Sequence, residues 1–290
     1  MPGAPAPSSR TFTCRITPRY TDLDTWRHVN NTRLYELHLE ARLLAHLQQF
    51  GADAWFSDGV RLRPVRAITS YRQVTWFGSD VEARVQVIAV QEDGYRVFSE
   101  LFQDGQSVGT QDCLMGAFER GRPVAMPAGI RAVLEDWLSP REDLAPMPEA
   151  DYRNSFGHVP MLAVHQQITA RYGDLDADSQ RSEAALARYM EQARFGGIRQ
   201  LDMGGLGILI AQADISFANY LPGWQPLELA SGISRIGNSS FVFDGCALHK
   251  GELQACAKSV MVVIDPATNR PAPIPATLRE QLERWLIPQA

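Results

Sequence analysis

The sequence has 290 residues, 45% hydrophobic and 21% charged, with 28 Lys+Arg against 33 Asp+Glu for a net charge of −5. This is ordinary globular usage, and the length allows two domains of roughly 145 residues. A disordered, collagen-like or disulfide-scaffold chain is excluded. No block of Lys or Arg interrupts the balance, so no nucleic-acid partner is expected. No run approaches the roughly 18 apolar residues that span a bilayer, so no membrane span is expected either. Residues 1–10 lack the basic start and apolar stretch of a signal peptide and read as a disordered lead-in. Cys14, Cys113, Cys246 and Cys256 form no CxxC and no Cys/His cluster of metal spacing. They read as reduced, buried thiols, which fits a cytoplasmic location, and neither a metal nor a cofactor is expected.

The chain repeats itself. Residues 16–42 align without a gap on residues 168–194, with ten of 27 positions identical in two clumps, Arg-Tyr-x-Asp-Leu-Asp and Ala-Arg. Weaker matches follow, Ser70-Tyr71 with Ser216-Phe217 and Arg122-Pro123 with Arg270-Pro271. Missing such a repeat would misassign the fold. The chain is read as two domains, 1–150 and 151–290, joined by a proline-rich acidic linker over 139–160.

In chain order, the first copy opens with an alternating strand over 12–17 and a loop carrying Asp22-Leu23-Asp24. A helix follows, capped by Asn30 or Asn31, with Leu34, Leu37, Ala41 and Leu44 as its apolar stripe and Gly51 at its end. Strands are expected over 66–75, 81–90, 95–103 and 107–119, with hairpin tips at 92–94 and 103–105. The second copy repeats this layout. It has a strand over 164–170, then a helix capped by Ser182 that buries Leu186, Tyr189 and Ala193 and ends at Gly196-Gly197. Strands over 213–220, 227–236, 240–249 and 253–265 complete it. Gly204, Gly205 and Gly207 lack the Lys-Ser/Thr of a phosphate loop and read as a turn. One helix that must bury its stripe on an antiparallel meander makes each copy an α+β unit.

Several side chains admit two readings at this point. Asp24 and Asp176 are loop residues or ionised carboxylates facing a helix N-terminus, able to serve as general base or nucleophile. His28 is a helix-entry residue or a group that orients water. Asp22 and Asp174 read as Asx-turn residues, Asn30 and Asn31 as caps, and Arg42 and Arg194 as structural, ion-paired residues. Ser239 and Ser240 are strand-start or site-lining residues. No Gly-x-Ser-x-Gly elbow supports a serine esterase.

Asp22-Leu23-Asp24-Thr25-Trp26-Arg27-His28-Val29-Asn30-Asn31, followed by Leu39-Glu40-Ala41-Arg42, resembles the hotdog-fold acyl-CoA and acyl-ACP thioesterases, of the 4-hydroxybenzoyl-CoA thioesterase-like kind. Arg235–Phe241 resembles the family's central strand turn, and Thr268-Asn269-Arg270-Pro271 its closing turn. The resemblance spans roughly 12–135 and 164–287. It implies a double hotdog, two repeats each with a long helix wrapped by antiparallel sheet, with active sites in the cleft between the halves. It further implies hydrolysis of an acyl thioester on coenzyme A or acyl carrier protein. Asp24, His28 and Asp176 are then the catalytic candidates. Trp26, Val29, Asn30, Asn238, Ser239 and Ser240 are the substrate-binding candidates, with the N–H groups near His28 and Val29 receiving the oxyanion. The second copy departs from the pattern, with Gln180 where the first has His28. A non-catalytic acyl-thioester binding protein and a hotdog enoyl hydratase or dehydratase are the alternatives, and a homo-oligomer of such chains is possible.

Overall fold

A computed structural model describes residues 10–51, 59–150, 162–220 and 223–287, so the expected lead-in over 1–9 and most of the second half of the expected linker lie outside the described residues. The chain divides into two units, Met1–Pro148 and Glu149–Ala290.

The first unit runs β1 (Phe12–Ile16), a 3-10 turn (Tyr20–Asp22), α1 (Asn31–Phe50), β2 (Arg61–Tyr71), β3 (Val81–Val90), β4 (Gly94–Gln103), β5 (Gln106–Glu119), β6 (Arg122–Val124) and α2 (Ala128–Asp136). Its strands pair antiparallel in the order β1-β3-β4-β5-β2, with β6 beside β5. Asn30 is the cap of α1, its side chain accepting the Thr32 N–H, which satisfies one of the orphan donors of the first turn. Gly51 ends the helix at φ 79°, a backbone state that glycine adopts without a Cβ clash.

The buried face of α1 differs from the expected stripe. Leu34, Leu37 and Ala41 are buried, but Leu44 is only half-buried, and His38, Arg42 and His46 occupy the inner face instead. The spacing i, i+4, i+8 places these three one above another. Each meets a polar side chain on the sheet. His38 Nδ1 lies 2.8 Å from Ser99 Oγ, Arg42 donates to Gln111 Oε1 at 3.0 Å, and Tyr95 Oη lies 2.8 Å from His46 Nε2. Burial, with the Arg42 charge alongside, pushes both histidines down to about 3.

Strand β2 starts and stops about five residues earlier than expected. Pro64 sits inside it, next to a register shift between Pro64 and Arg66, which is where a ladder tolerates a residue without an N–H. Past β5, the first part of the expected linker lies along this unit rather than free. Ser139 N–H bonds Val87 O, Arg96 bonds Ala145 O at 2.8 Å, and Arg66 bonds Pro148 O.

The second unit has the same order of elements: β7 (Val164–Ile168), a 3-10 turn (Tyr172–Asp174), α3 (Glu183–Ile198), β8 (Gly207–Phe217), β9 (Leu227–Ile236), β10 (Ser240–His249), β11 (Glu252–Asp265), β12 (Arg270–Pro271) and α4 (Ala276–Glu283). Its strands pair antiparallel as β8-β11-β10-β9-β7, with β12 beside β11. Gly196 and Gly197 lie in the last turn of α3, which ends one residue later at Ile198; a Cβ on Gly196 would collide with the Gln166 amide and one on Gly197 would sit 3.0 Å from the Phe243 ring. Both positions require close packing at the end of the helix. Gly204 and Gly205 do form a turn at positive φ, whereas Gly207 opens β8.

Asp22 and Asp174 close equivalent 3-10 turns, accepting the N–H of Arg19 and Arg171 respectively. Asp174 is the more deeply tied. It is buried and also accepts Tyr189 Oη at 2.9 Å and Arg188 at 3.3 Å. Burial opposes its charge, but these bonds outweigh it and hold the carboxyl below its ordinary value. Asp174→Ala is expected to lower stability by about 2–4 kcal/mol, since it strands a buried hydroxyl and a backbone donor. Thermal denaturation measures this, and an unchanged midpoint would refute it.

Candidate active site

The loop between the 3-10 turn and α1 is shaped by its own backbone. Asp24 N–H bonds His28 O at 2.9 Å and Arg27 N–H bonds Asp24 O at 3.1 Å. Arg27 adopts φ 66°, and Ser179, 152 residues on, adopts φ 58°. The repeat therefore preserves a strained left-handed residue at one position in both loops. In the first unit this fold brings Asp24 and His28 together. His28 Nδ1 stands 3.2 Å from Asp24 Oδ2, with side-chain exposures of 18% and 21%, so the pair is sheltered yet reachable. Asp24 Oδ1 accepts the Trp26 N–H at 2.8 Å.

The tautomer of His28 follows from its neighbours. Nδ1 faces Asp24 Oδ2 and, at 3.4 Å, Val29 O. Both are acceptors, so Nδ1 carries the proton and neutral His28 keeps its lone pair on Nε2. Such a nitrogen can take a proton from water, with the carboxylate stabilising the imidazolium that forms.

The other expected site residues divide. The Val29 side chain is buried and its N–H donates to Thr75 O at 2.8 Å, so it offers nothing to a substrate oxygen, contrary to expectation. Asn30 N–H is likewise taken, by Asp22 O, and its side chain is the cap. Among the described residues, the N–H groups left without a bond at this helix start are those of His28, Asn31 and Arg33. Trp26 is more than half exposed, and so are Tyr20, Trp76 and Phe77. Trp76 meets His28 edge to face at 6.4 Å, and Phe77 meets Tyr20 at 6.1 Å. The part played by Thr75 and Trp76 escapes a reading of the sequence, where Thr75 reads only as a strand end and Trp76-Phe77 only as an apolar pair before Gly78-Ser79.

In the second unit, Asp176 Oδ1 accepts the N–H groups of Asp178 and Gln180 at 2.9 and 3.0 Å, inside its own loop. The loop copies the backbone of the first unit, including Arg181 N–H on Tyr220 O and Ser182 N–H on Asp174 O. It does not copy the imidazole. Arg181 replaces Val29 and buries its guanidinium over the Tyr189 ring, bonded to Gln225 O. Asn238, Ser239 and Ser240 form the β9–β10 turn, where Asn238 O accepts Ile274 N–H and Ser239 O accepts Val263 N–H. The Asp176 loop instead packs on Gly223, close to the start of β9. The ten residues of β9 therefore separate it from that turn, by about 30 Å at the usual strand rise.

Residues 18–134 match the model of the thioesterase-like superfamily. Among solved structures, the 12:0-ACP thioesterase from Umbellularia californica is similar with a TM-score of 0.72 at 12% identity, over 88% of this chain and 94% of that one. A putative oleoyl thioesterase from Lactobacillus plantarum gives 0.69 at 12% identity, over 88% and 97%. An acyl-ACP thioesterase from Bacteroides thetaiotaomicron gives 0.64 at 12% identity, over 87% and 98%. The chain thus has the hotdog thioesterase fold, a large antiparallel sheet with few helices. No curated protein sequence matches it. Among the described residues no helix is long and apolar enough to cross a membrane, and no group of three His, Cys, Asp or Glu stands ready for a metal ion.

Proposed function

We propose that the protein is a hydrolase that cleaves acyl thioesters of coenzyme A or acyl carrier protein, with its chemistry at Asp24 and His28 of the first unit. The observation that carries this reading is the 3.2 Å contact of His28 Nδ1 with Asp24 Oδ2 in a half-sheltered loop, within a stretch that matches the thioesterase-like superfamily. His28 Nε2 takes a proton from water as its oxygen attacks the thioester carbon. Asp24 holds the imidazole in the productive tautomer and stabilises its charge. The free N–H groups of His28 and Asn31, at the positive end of α1, receive the oxyanion. Collapse breaks the C–S bond, and the imidazolium returns its proton to the departing thiolate. The acid and the free thiol leave.

The two units are read as two copies of one hotdog, on the strength of the gapless repeat and the shared element order. Asp176 is assigned to loop structure in this proposal, since Gln180 brings no titrating nitrogen to it. The test is release of free thiol from a panel of acyl-CoAs and acyl carrier protein thioesters by the purified chain. No release from any member sinks the reading. Trp26→Ala is expected to raise KM about two- to fivefold with kcat retained, if its exposed ring contacts the pantetheine or acyl arm. An unchanged KM would remove Trp26 from the binding surface.

A further inference from the structure

Gln103, at the end of β4, spends its entire side-chain amide on the segment that follows β2. Its Oε1 accepts Trp76 N–H at 2.8 Å, and its Nε2 donates to Trp76 O at 2.8 Å and to Ser79 O at 3.0 Å. The side chain is buried, with 5% of the residue exposed. Two of these three bonds take both backbone polar groups of Trp76, and the third ties the segment again at Ser79. Trp76 is otherwise a more than half-exposed ring on a loop, where nothing in its own sequence neighbourhood would hold it still.

That ring lies against the imidazole of His28, 6.4 Å between centroids at 82°. One residue earlier, Thr75 O accepts the Val29 N–H and ties the same segment to the start of α1. The imidazole is held at one atom, Nδ1, which bonds Val29 O at 3.4 Å and lies 3.2 Å from Asp24 Oδ2. A ring held at one atom can still turn about its second side-chain torsion, which is soft for histidine. Packing by Trp76 removes that freedom.

We infer that Gln103 is a positioning residue for the thioester hydrolysis proposed above, acting through Trp76 to hold the His28 imidazole with Nδ1 on Asp24 and Nε2 toward the substrate. The inference rests on that functional reading for its kinetic arm only. The second unit supports the device. His249 ends β10 as Gln103 ends β4, and its Nδ1 bonds Pro226 O at 3.2 Å in the loop that carries the exposed Trp224. There Trp224 pairs with Tyr172 at 6.0 Å. The strand-end residue thus reaches the same loop with one bond, to Pro226 and not to a tryptophan, in the unit whose Asp176 loop has no imidazole to orient.

The experiment is a double-mutant cycle on the full chain with Gln103→Leu, Trp76→Ala and the double variant, read by kcat, KM and the imidazole C–H signals of His28 in NMR, assigned with His28→Gln. Residues acting through one another are non-additive. Each single variant should lower kcat about 10- to 100-fold with KM within twofold. The double variant should be no slower than the worse single. Both singles should displace the His28 signals in the same direction. Gln103→His, which keeps one donor as His249 does, should recover part of the loss and carries the test where Gln103→Leu does not fold. Additive losses, a loss borne by KM, or His28 signals unmoved in Gln103→Leu and Gln103→His overturn the inference. Absence of thioester hydrolysis by the wild-type chain would overturn the functional reading instead, and the NMR arm would still decide whether Gln103 positions His28.

Discussion

Asp24→Asn and His28→Gln are each expected to lower kcat for thioester hydrolysis by about 10²–10⁴-fold, the usual cost of removing a proton-transfer group, while Asp176→Asn costs less than about threefold. The asymmetry follows from the two loops. Asp24 Oδ2 faces an imidazole at 3.2 Å, whereas Asp176 Oδ1 accepts the N–H groups of Asp178 and Gln180. Asp24→Asn retains an acceptor for the Trp26 N–H, so the loop should keep its shape and the loss should appear in kcat with little change in unfolding midpoint. In Asp176→Asn the amide oxygen still caps its loop. Stopped assays with one acyl-CoA and one acyl carrier protein thioester, run beside thermal denaturation, read both quantities. Equal losses in the two units would refute the asymmetry, and a larger loss at Asp176 would place the chemistry in the second loop.

The second large effect is in pH. His38 and His46 are fully buried, and burial together with the Arg42 charge pushes both down to about 3. Unfolded, each returns to the ordinary histidine value near 6.5. Between these values the unfolded chain binds two more protons than the folded one, so stability falls as pH falls. The slope is about 1.4 kcal/mol per pH unit for each histidine. The stabilisation from neutral imidazoles is complete above about pH 7. By pH 4.5 the loss reaches about 5 kcal/mol, comparable with the whole stability of an ordinary domain. Carboxylates held low, such as Asp174, add their own loss only at lower pH, so the window from 6.5 to 4.5 belongs to the histidines. Urea denaturation of the chain at pH 7.0, 5.5 and 4.5 measures the slope. His38→Gln should remove close to half of it. A stability that stays level across this window would show that the two imidazoles are not held neutral.

Much of the architecture is local enough to be read along the chain. The gapless repeat, the alternating strands, the hairpin tips and the Asn30 and Ser182 caps each depend on residues a few positions apart, and short-range sterics and hydrogen bonding act at that range. The departures have a common origin. Gly196 and Gly197 read only as a helix end when their own backbone alone is considered, although close packing also requires them there. The neighbours that make them packing residues, Gln166 and Phe243, lie 30 and 46 positions away. The stripe on α1 reads as apolar throughout. His38, Arg42 and His46 go inside because Ser99, Gln111 and Tyr95 on the sheet receive them, and burial of polar groups is settled by partners, not by hydropathy. The short helices α2 and α4, entered from Pro127 and Pro275, do not stand out in the sequence, since eight or nine residues carry too little periodicity.

The candidate site divides along the same line. Asp24 and His28 are four residues apart, and that spacing alone puts them in one loop. Sequence by itself determined which loop holds a carboxylate and an imidazole, and that the second copy lacks the imidazole. Tertiary structure decided which atoms are available. Thr75, 46 residues after Val29, takes the N–H expected to meet the substrate. Gln103, 75 residues after His28, clamps the tryptophan that packs on it. Directional bonds of this kind join residues that only the folding of the sheet brings within 3 Å. A motif reports which chemical groups are present, while the donors, acceptors and tautomers left free for chemistry are fixed by the long-range contacts that consume the rest.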